Sequence, residues 1–264
     1  MSIIQNQGPV LSSTLQQVLK ELGFQQLTPI QAQSIPHLLE GKDLIGQSKT
    51  GSGKTAAFSI PILEKIQIQR RDPQALILCP TRELCTQVAR EIRKLGRRHP
   101  GLQVLILSGG QPFFPQKIAL EKGAHIIVGT PGRVLDHLLR RTLFLGRIST
   151  LVLDEADRML DMGFQQDMEK ILNATAKKRQ TVFFSATFPQ SIESLSKLYQ
   201  NNPVKIEIEE EKDQSPPIQQ TIYEVEKDSK LKTLISLLEQ NPVNSIAETF
   251  RFSCEWIREM ETPL

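Results

Sequence analysis

Seven short apolar runs, separated by amphipathic stretches, constrain this chain more than any other feature. They are Asp43–Gly46, Ala75–Cys79, Val104–Leu107, His125–Val128, Thr150–Leu153, Thr181–Phe184 and Val204–Ile208. Most are continuous Val, Ile, Leu or Phe, the reading of a strand covered on both faces. The stretches between them, such as Arg82–Leu95 and Gln166–Leu172, repeat with helical spacing. Alternation of this kind predicts βαβ units, hence an α/β fold with a mostly parallel central sheet flanked by helices.

The polar motifs fall at one end of these runs. Ser48–Thr55 follows the first, Pro80–Leu84 the second, Gly109-Gly110 the third and Thr130–Arg133 the fourth. Asp154–Asp157 follows the fifth and Ser185-Ala186-Thr187 the sixth. Each is the carboxyl end of an expected strand, and ligands of open α/β sheets bind along that edge.

Gly51-Ser52-Gly53-Lys54-Thr55 has the composition of a phosphate cradle. Glycines let the backbone turn its amides inward, Lys54 supplies a compact charge, and the Thr55 hydroxyl is placed for Mg²⁺. The strict pattern G-x4-G-K-[ST] is broken, because Ser48 stands where its first glycine belongs. A Gly-rich turn between strand and helix is the plain alternative. Asp154-Glu155, directly after Leu151-Val152-Leu153, weighs against it. Asp154 is expected to hold Mg²⁺ and Glu155 to act as the base that orients an attacking water. Alone, an Asp-Glu pair also suits a solvated helix start, where the dipole favours acids.

Composition adds limits. The chain has 264 residues, 39% hydrophobic and 23% charged, with net charge +3. That permits nucleic-acid binding without requiring it. Cys79, Cys85 and Cys254 show no CxxC pairing, so a reduced context and packing roles are expected. His37, His99, His125 and His137 show no ligand spacing. Met1–Leu11 lacks the pattern of a signal peptide, and no apolar run approaches the ~20 residues of a membrane span. A soluble, cytoplasmic protein without membrane association is therefore expected. Residues 1–208 read as one domain and Glu209–Pro217, charged and ending in two prolines, as a linker. Ile218–Leu264 reads as the start of a second domain, with a strand at Ile218–Val225 and a helix at Ser229–Leu238. It is shorter than a self-supporting core usually requires.

Asp154-Glu155-Ala156-Asp157 spells the signature of the DEAD-box RNA helicases. Thr50–Thr55 resembles that family's phosphate loop, in which a small residue at the Ser48 position is common. Pro80-Thr81-Arg82-Glu83-Leu84, Gly109-Gly110, Thr130-Pro131-Gly132-Arg133 and Ser185-Ala186-Thr187 are similar in order and spacing. Gly23-Phe24-Gln25-Gln26-Leu27-Thr28-Pro29-Ile30-Gln31 resembles its adenine-recognition motif. The resemblance spans about Leu11 to Leu238.

It implies a RecA-like P-loop domain that takes ATP and Mg²⁺. Ser48, Lys49, Thr50, Gly51, Ser52, Gly53, Lys54 and Thr55 would cradle the phosphates, with Thr55 and Asp154 toward the metal. Phe24 would stack on the base, Thr28 would position the loop, and Gln31 would match the N6/N7 edge of adenine, selecting ATP over GTP. A hydrophobic staple at Phe24 and a solvated helix position at Gln31 are the plain alternatives. Lys54, Asp154, Glu155, Ser185 and Thr187 form the implied catalytic set, with Ser185 and Thr187 bonded to Asp157. Thr81, Arg82, Gly110, Thr130, Gly132 and Arg133 would hold an RNA backbone with little sequence specificity. The basic face Arg90, Arg93, Lys94, Arg97 and Arg98 is read as solvated.

The chain departs from the family pattern in two places. Val10-Leu11 stands where an isolated aromatic is usual. No histidine follows His137, so the His-Arg motif through which a second RecA-like domain brings two arginines to the γ-phosphate is missing. Such arginines contribute ~10³–10⁵ in rate. Unwinding by this chain alone is not expected, and a partner could supply the second domain. Ala247–Leu264 departs from the expected strand, and a frameshift or early stop is one expected origin. Two other readings stay open: a non-catalytic ATP- or RNA-binding fragment, separated by turnover, and a P-loop ATPase acting on DNA or protein, separated by competition between RNA and DNA strands.

Overall fold

The computed structural model describes residues 11–208, 223, 225 and 229–240. The chain divides into two compact units, Met1–Asp213 and Gln214–Leu264. In the first, β1 (Leu44–Gln47), β2 (Ala75–Leu78), β3 (Val104–Leu107), β4 (Ile126–Gly129), β5 (Thr150–Asp154), β6 (Gln180–Ser185) and β7 (Val204–Glu207) form one sheet. Its order is β3-β4-β2-β5-β6-β1-β7, and every pairing is parallel.

All seven apolar runs hold strands whose ends differ by a residue or two from the expected ones, and at two of them a side chain takes over the backbone's work. Asp43 lies outside β1 because its carboxylate accepts the Thr181 and Asn201 N–H groups at 2.7 and 2.6 Å. His125 lies outside β4, its Nδ1 accepting the Gln103 N–H at 2.9 Å while Nε2 faces the Ile68 carbonyl at 3.0 Å.

Alternation along each strand feeds two cores. Ala75 and Ile77, Val152, Val182 and Phe184 face one of them, with α1 (Ser13–Glu21), α2 (Pro29–Leu39), α3 (Lys54–Lys65) and α4 (Arg82–Leu95). Leu76 and Leu78, Leu151 and Leu153, and Phe183 face the other. There they meet α5 (Phe113–Lys122), α6 (Pro131–Leu139), α7 (Ala156–Asp161), α8 (Gln165–Ala174) and α9 (Gln190–Tyr199).

Handedness explains this division. Parallel strands accept right-handed crossovers. The connections β1→β2 and β2→β3 travel toward the β3 edge and lay α3 and α4 on one face; all later ones travel back and use the opposite face. Loops leaving the neighbours β6 and β1, or β2 and β5, therefore turn to opposite sides. That opens crevices at the carboxyl edge, where the polar motifs lie.

Local chemistry sets the elements. In α4 the Thr81 hydroxyl accepts the Leu84 N–H at 3.2 Å, Glu83 sits in the first turn, Arg93 and Lys94 in the last, and Gly96 ends it. Cys85, Val88, Ala89, Ile92 and Leu95 give it a buried stripe. Gly46 is required by packing: a Cβ there would collide with the Phe184 ring, which lies 5.8 Å from that of Phe58. Cys79 and Cys85 are free and buried, as expected of packing residues.

In the second unit, α10 (Lys230–Gln240) is the helix expected near Ser229, and the Thr233 hydroxyl donates to the Ser229 carbonyl at 2.9 Å. Tyr223 and Val225, each described singly, are exposed. Otherwise the expected strand at Ile218–Val225, the Glu209–Pro217 linker and the Ala247–Leu264 tail lie outside the described residues, as does Val10. No helix among the described residues is long and apolar enough to cross a membrane.

Candidate nucleotide site and polar rim

The loop from β1 to α3 carries the candidate phosphate cradle. Gly51 and Gly53 adopt φ +84° and +97°, a region closed to most side chains. Gly53 is the N-cap of α3, so Lys54 and Thr55 begin the helix with unpaired amides beside them. Ser48 needs no glycine conformation. Its hydroxyl meets that of Ser52 at 2.8 Å and closes the loop, which explains the broken pattern. Lys49 and Thr50 lie exposed on its outer rim. Buried Lys54 donates its ammonium to the Ser48 carbonyl at 2.7 Å.

Gln31 joins the cradle from α2. Its Oε1 accepts the Thr28 N–H at 3.0 Å, and its Nε2 donates to the Gly53 carbonyl at 3.1 Å. It is buried, so the solvated alternative fails. A Cβ on Gly53 would overlap the Gln31 amide and approach the Thr28 hydroxyl to 3.0 Å. That hydroxyl is buried without a hydrogen-bond partner. Phe24 is half-buried, packed partly against the first core.

Across the crevice, Asp154 ends β5. It is 3% exposed, and its Oδ1 has no partner. Burial pushes its carboxyl up to about 7, against the opposing pull of the Lys54 charge and with a further push from Glu155. An isolated buried carboxylate is costly, so one kept beside a lysine suits a cation that arrives with its ligand. Among the described residues no cluster of three or more His, Cys, Asp or Glu could cage a metal by itself. One carboxylate and the Thr55 hydroxyl fit Mg²⁺ that is bound chiefly by phosphates and water.

Glu155 caps α7 at φ +53°, ψ +52°. A non-glycine residue there costs about 1–3 kcal/mol, and such strain concentrates at functional sites. The turn leaves its side chain 13% exposed, with Arg158 Nη1 3.3 Å from Oε2. Two residues on, the Asp157 N–H donates to the Ser185 hydroxyl at 3.2 Å. The Thr187 N–H and hydroxyl both donate to Asp157 Oδ2 at 2.8 Å. Burial raises the Asp157 carboxyl, but the bonds from Thr187, the nearby Ser185 hydroxyl and the Arg158 N–H outweigh it and hold the group below the usual carboxylate range. The β5 and β6 loops are thereby tied together.

The loops after β2, β3 and β4 continue the rim. Thr81 spends its hydroxyl on capping α4, while Arg82 is exposed and lies against Gly110, where an added side chain would collide with its guanidinium. Gly110 takes φ +74°. Thr130 is the N-cap of α6 without a capping bond from its hydroxyl, and Gly132 is exposed beside it. Arg133 donates to the Gln111 carbonyl at 2.9 Å. A groove of about 880 Å³ runs past Arg82, Ser108, Gly109 and Gln111. The basic residues along α4 and just after it stay at the surface: Arg90 is exposed, Arg97 and Arg98 pair with Glu21, Arg93 donates to the Val104 carbonyl at 2.6 Å, and Lys94 lies 3.5 Å from Glu91.

Fold and loop together define a RecA-like P-loop α/β domain. The DEAD/DEAH box helicase family matches residues 28–195, and the chain belongs to that family. It is 46% identical over 233 residues to the DEAD-box ATP-dependent RNA helicase CshA of Bacillus cereus, covering 88% of this chain and 44% of that protein. To the ATP-dependent RNA helicase DbpA of Escherichia coli it is 49% identical over 220 residues, covering 83% and 48%. The chain spans about half the length of these relatives. A crystal structure of a DEAD box protein from Methanococcus jannaschii superposes with a TM-score of 0.73 at 37% identity, covering 96% of this chain and 69% of that one. That of a hypothetical ATP-dependent RNA helicase from Sulfolobus tokodaii gives 0.70 at 39%, covering 75% and 57%.

The Asp154 carboxyl makes a testable difference. Its folded value near 7 lies above its ordinary 3.8, so the native state takes up a proton between them. An acid raised in this way lowers stability as pH climbs through that window. Without nucleotide or divalent cation, Asp154→Asn is expected to be more stable than the parent at pH 8, by a few kcal/mol at most. The gap should narrow by pH 5. Urea melts at both values check it, and a gap independent of pH would contradict the charge penalty.

Proposed function

We propose that this chain is the ATP-binding half of an ATP-dependent RNA helicase, coupling hydrolysis to its grip on an RNA backbone. The observation that carries this is Asp154: a buried carboxylate with one oxygen unpartnered, beside Lys54, at the crevice between the cradle and the strained Glu155.

On this reading the amides of Gly51–Thr55 and the Lys54 ammonium hold the phosphates, replacing the bond from Lys54 to Ser48. Thr55 and Asp154 hold Mg²⁺, which neutralises charge on the phosphate oxygens when bound. Gln31 turns its amide to adenine, with Phe24 against the base and Thr28 supporting the corner. Glu155 orients a water and accepts its proton as the oxygen bonds to the γ-phosphorus and the bridge to ADP breaks. Ser185 and Thr187 pass the event through Asp157. Arg82, Arg133, Thr81, Thr130, Gly110 and Gly132 hold sugar and phosphate groups. Unwinding needs the arginine pair of a second RecA-like domain, for which a partner is one source. A cytoplasmic location suits such a role.

Phosphate release from ATP, measured alone, with single-stranded RNA and with the same strand as DNA, tests this. The proposal expects turnover that RNA raises and DNA does not. Equal stimulation by DNA would remove the RNA assignment, and ATP binding without turnover would leave a binding fragment.

A further inference from the structure

We infer that His137 is a positioning residue for the RNA-facing loop between β3 and α5, which it holds through Gln116 independently of the bond from Arg133 to Gln111. The inference rests on the RNA reading for its consequence, but not for its geometry.

His137 is fully buried on α6, one turn after Arg133 and on the same face. Its Nε2 lies 3.1 Å from Gln116 Oε1, and its Nδ1 2.8 Å from the Thr142 hydroxyl. Gln116, itself 7% exposed, donates its Nε2 to the Ser108 carbonyl at 3.1 Å. Donor and acceptor rules fix the Gln116 amide and the ring proton that faces it. The Ser108 carbonyl only accepts, so the Gln116 amide nitrogen faces it and Oε1 faces the ring. An amide oxygen only accepts, so His137 carries its proton on Nε2. Nδ1 is then an acceptor facing the Thr142 hydroxyl, whose single proton it shares with the His137 carbonyl 3.1 Å away. The ring is neutral, as its surroundings favour: burial and Arg133 push it down to about 4, with Asp136 opposing. Phe113 stacks on it at 4.2 Å, 15° from parallel, and Arg140 covers the far side of Phe113 at 4.6 Å.

The consequence lies in where the two ends of the loop are held. Ser108 opens it and Gln111 lies near its close, with Gly109 and Gly110 between. Arg133 holds the far end at the Gln111 carbonyl. A guanidinium that grips a phosphate must give up some of that hold. Ser108 then depends on the His137–Gln116 bond, which is buried and faces no ligand. Glycines alone would not keep the loop in one conformation.

The test uses His137→Phe, which keeps the ring stacked on Phe113 but removes both ring bonds, and His137→Gln, which restores a donor toward Gln116. Thr142→Val loosens only the outer end and serves if the first variant folds poorly. Two quantities are read in the full chain: amide exchange across 108–112 without RNA, and anisotropy of a labelled single-stranded oligouridylate. Expected are about tenfold faster exchange and about tenfold weaker RNA binding in His137→Phe, ATP affinity within about twofold, substantial rescue by Gln, and a smaller shift of the same sign in Thr142→Val. A lower melting temperature with unchanged loop exchange and RNA affinity in His137→Phe would overturn the inference and leave a packing histidine. Failure of the parent chain to bind RNA would strike the functional reading instead, while the exchange measurement still decides whether His137 holds the loop.

Discussion

Glu155→Gln is expected to slow ATP hydrolysis by about 10²–10⁴-fold while leaving ATP affinity within a few-fold. The reason is geometric. Glu155 is held in a left-handed turn between β5 and α7, largely shielded from solvent and next to the buried Asp154. Glutamine preserves the volume, the turn and a hydrogen bond to water, but it cannot accept the proton released as water attacks. Single-turnover phosphate release beside equilibrium ATP binding separates the two quantities. Loss of affinity in step with rate would mean that Glu155 supports the site rather than activating water. An unchanged rate would place the base elsewhere.

Lys54→Ala should act at the earlier step. Its ammonium now rests on the Ser48 carbonyl, and its charge steadies Asp154. A charge-assisted hydrogen bond is worth about 1.5–3 kcal/mol, so ATP affinity should fall about 10–150-fold and turnover with it. The variant also strips the opposing Lys54 charge from a buried carboxylate, so the empty protein should lose stability above pH 7 more than at pH 5. Calorimetric titration with ATP and thermal melts at the two pH values read both effects. Wild-type affinity in Lys54→Ala would mean that the loop amides alone hold the phosphates.

Much of this was legible because burial on both faces leaves a plain record. Ala75–Leu78 of β2, Leu151–Leu153 of β5 and Val182–Phe184 of β6 are unbroken apolar segments, and each strand is followed by a polar loop at the same edge. Strand ends were less legible, because Asp43 and His125 spend side-chain bonds on backbone groups far away in sequence. The site's residue types could be read; their present partners could not. Nothing in the one-dimensional order says that Gln31 bonds Gly53, that Ser48 and Ser52 close the loop, or that Glu155 takes a positive φ. His137 carried no assigned role for a related reason. A single histidine carries no spacing signal, and Gln116 is an ordinary helix residue until folding sets the two 3.1 Å apart.

The central claim is that the β1–α3 loop and the Gln31 corner form one adenine nucleotide site. Calorimetric titration of the chain with Mg²⁺–ATP and Mg²⁺–GTP, repeated with Gln31→Ala, addresses it most directly. The account predicts that ATP binds at least about tenfold more tightly than GTP, and that Gln31→Ala largely removes the difference. Equal affinity for the two nucleotides in the parent, or a preference that survives in Gln31→Ala, would contradict it.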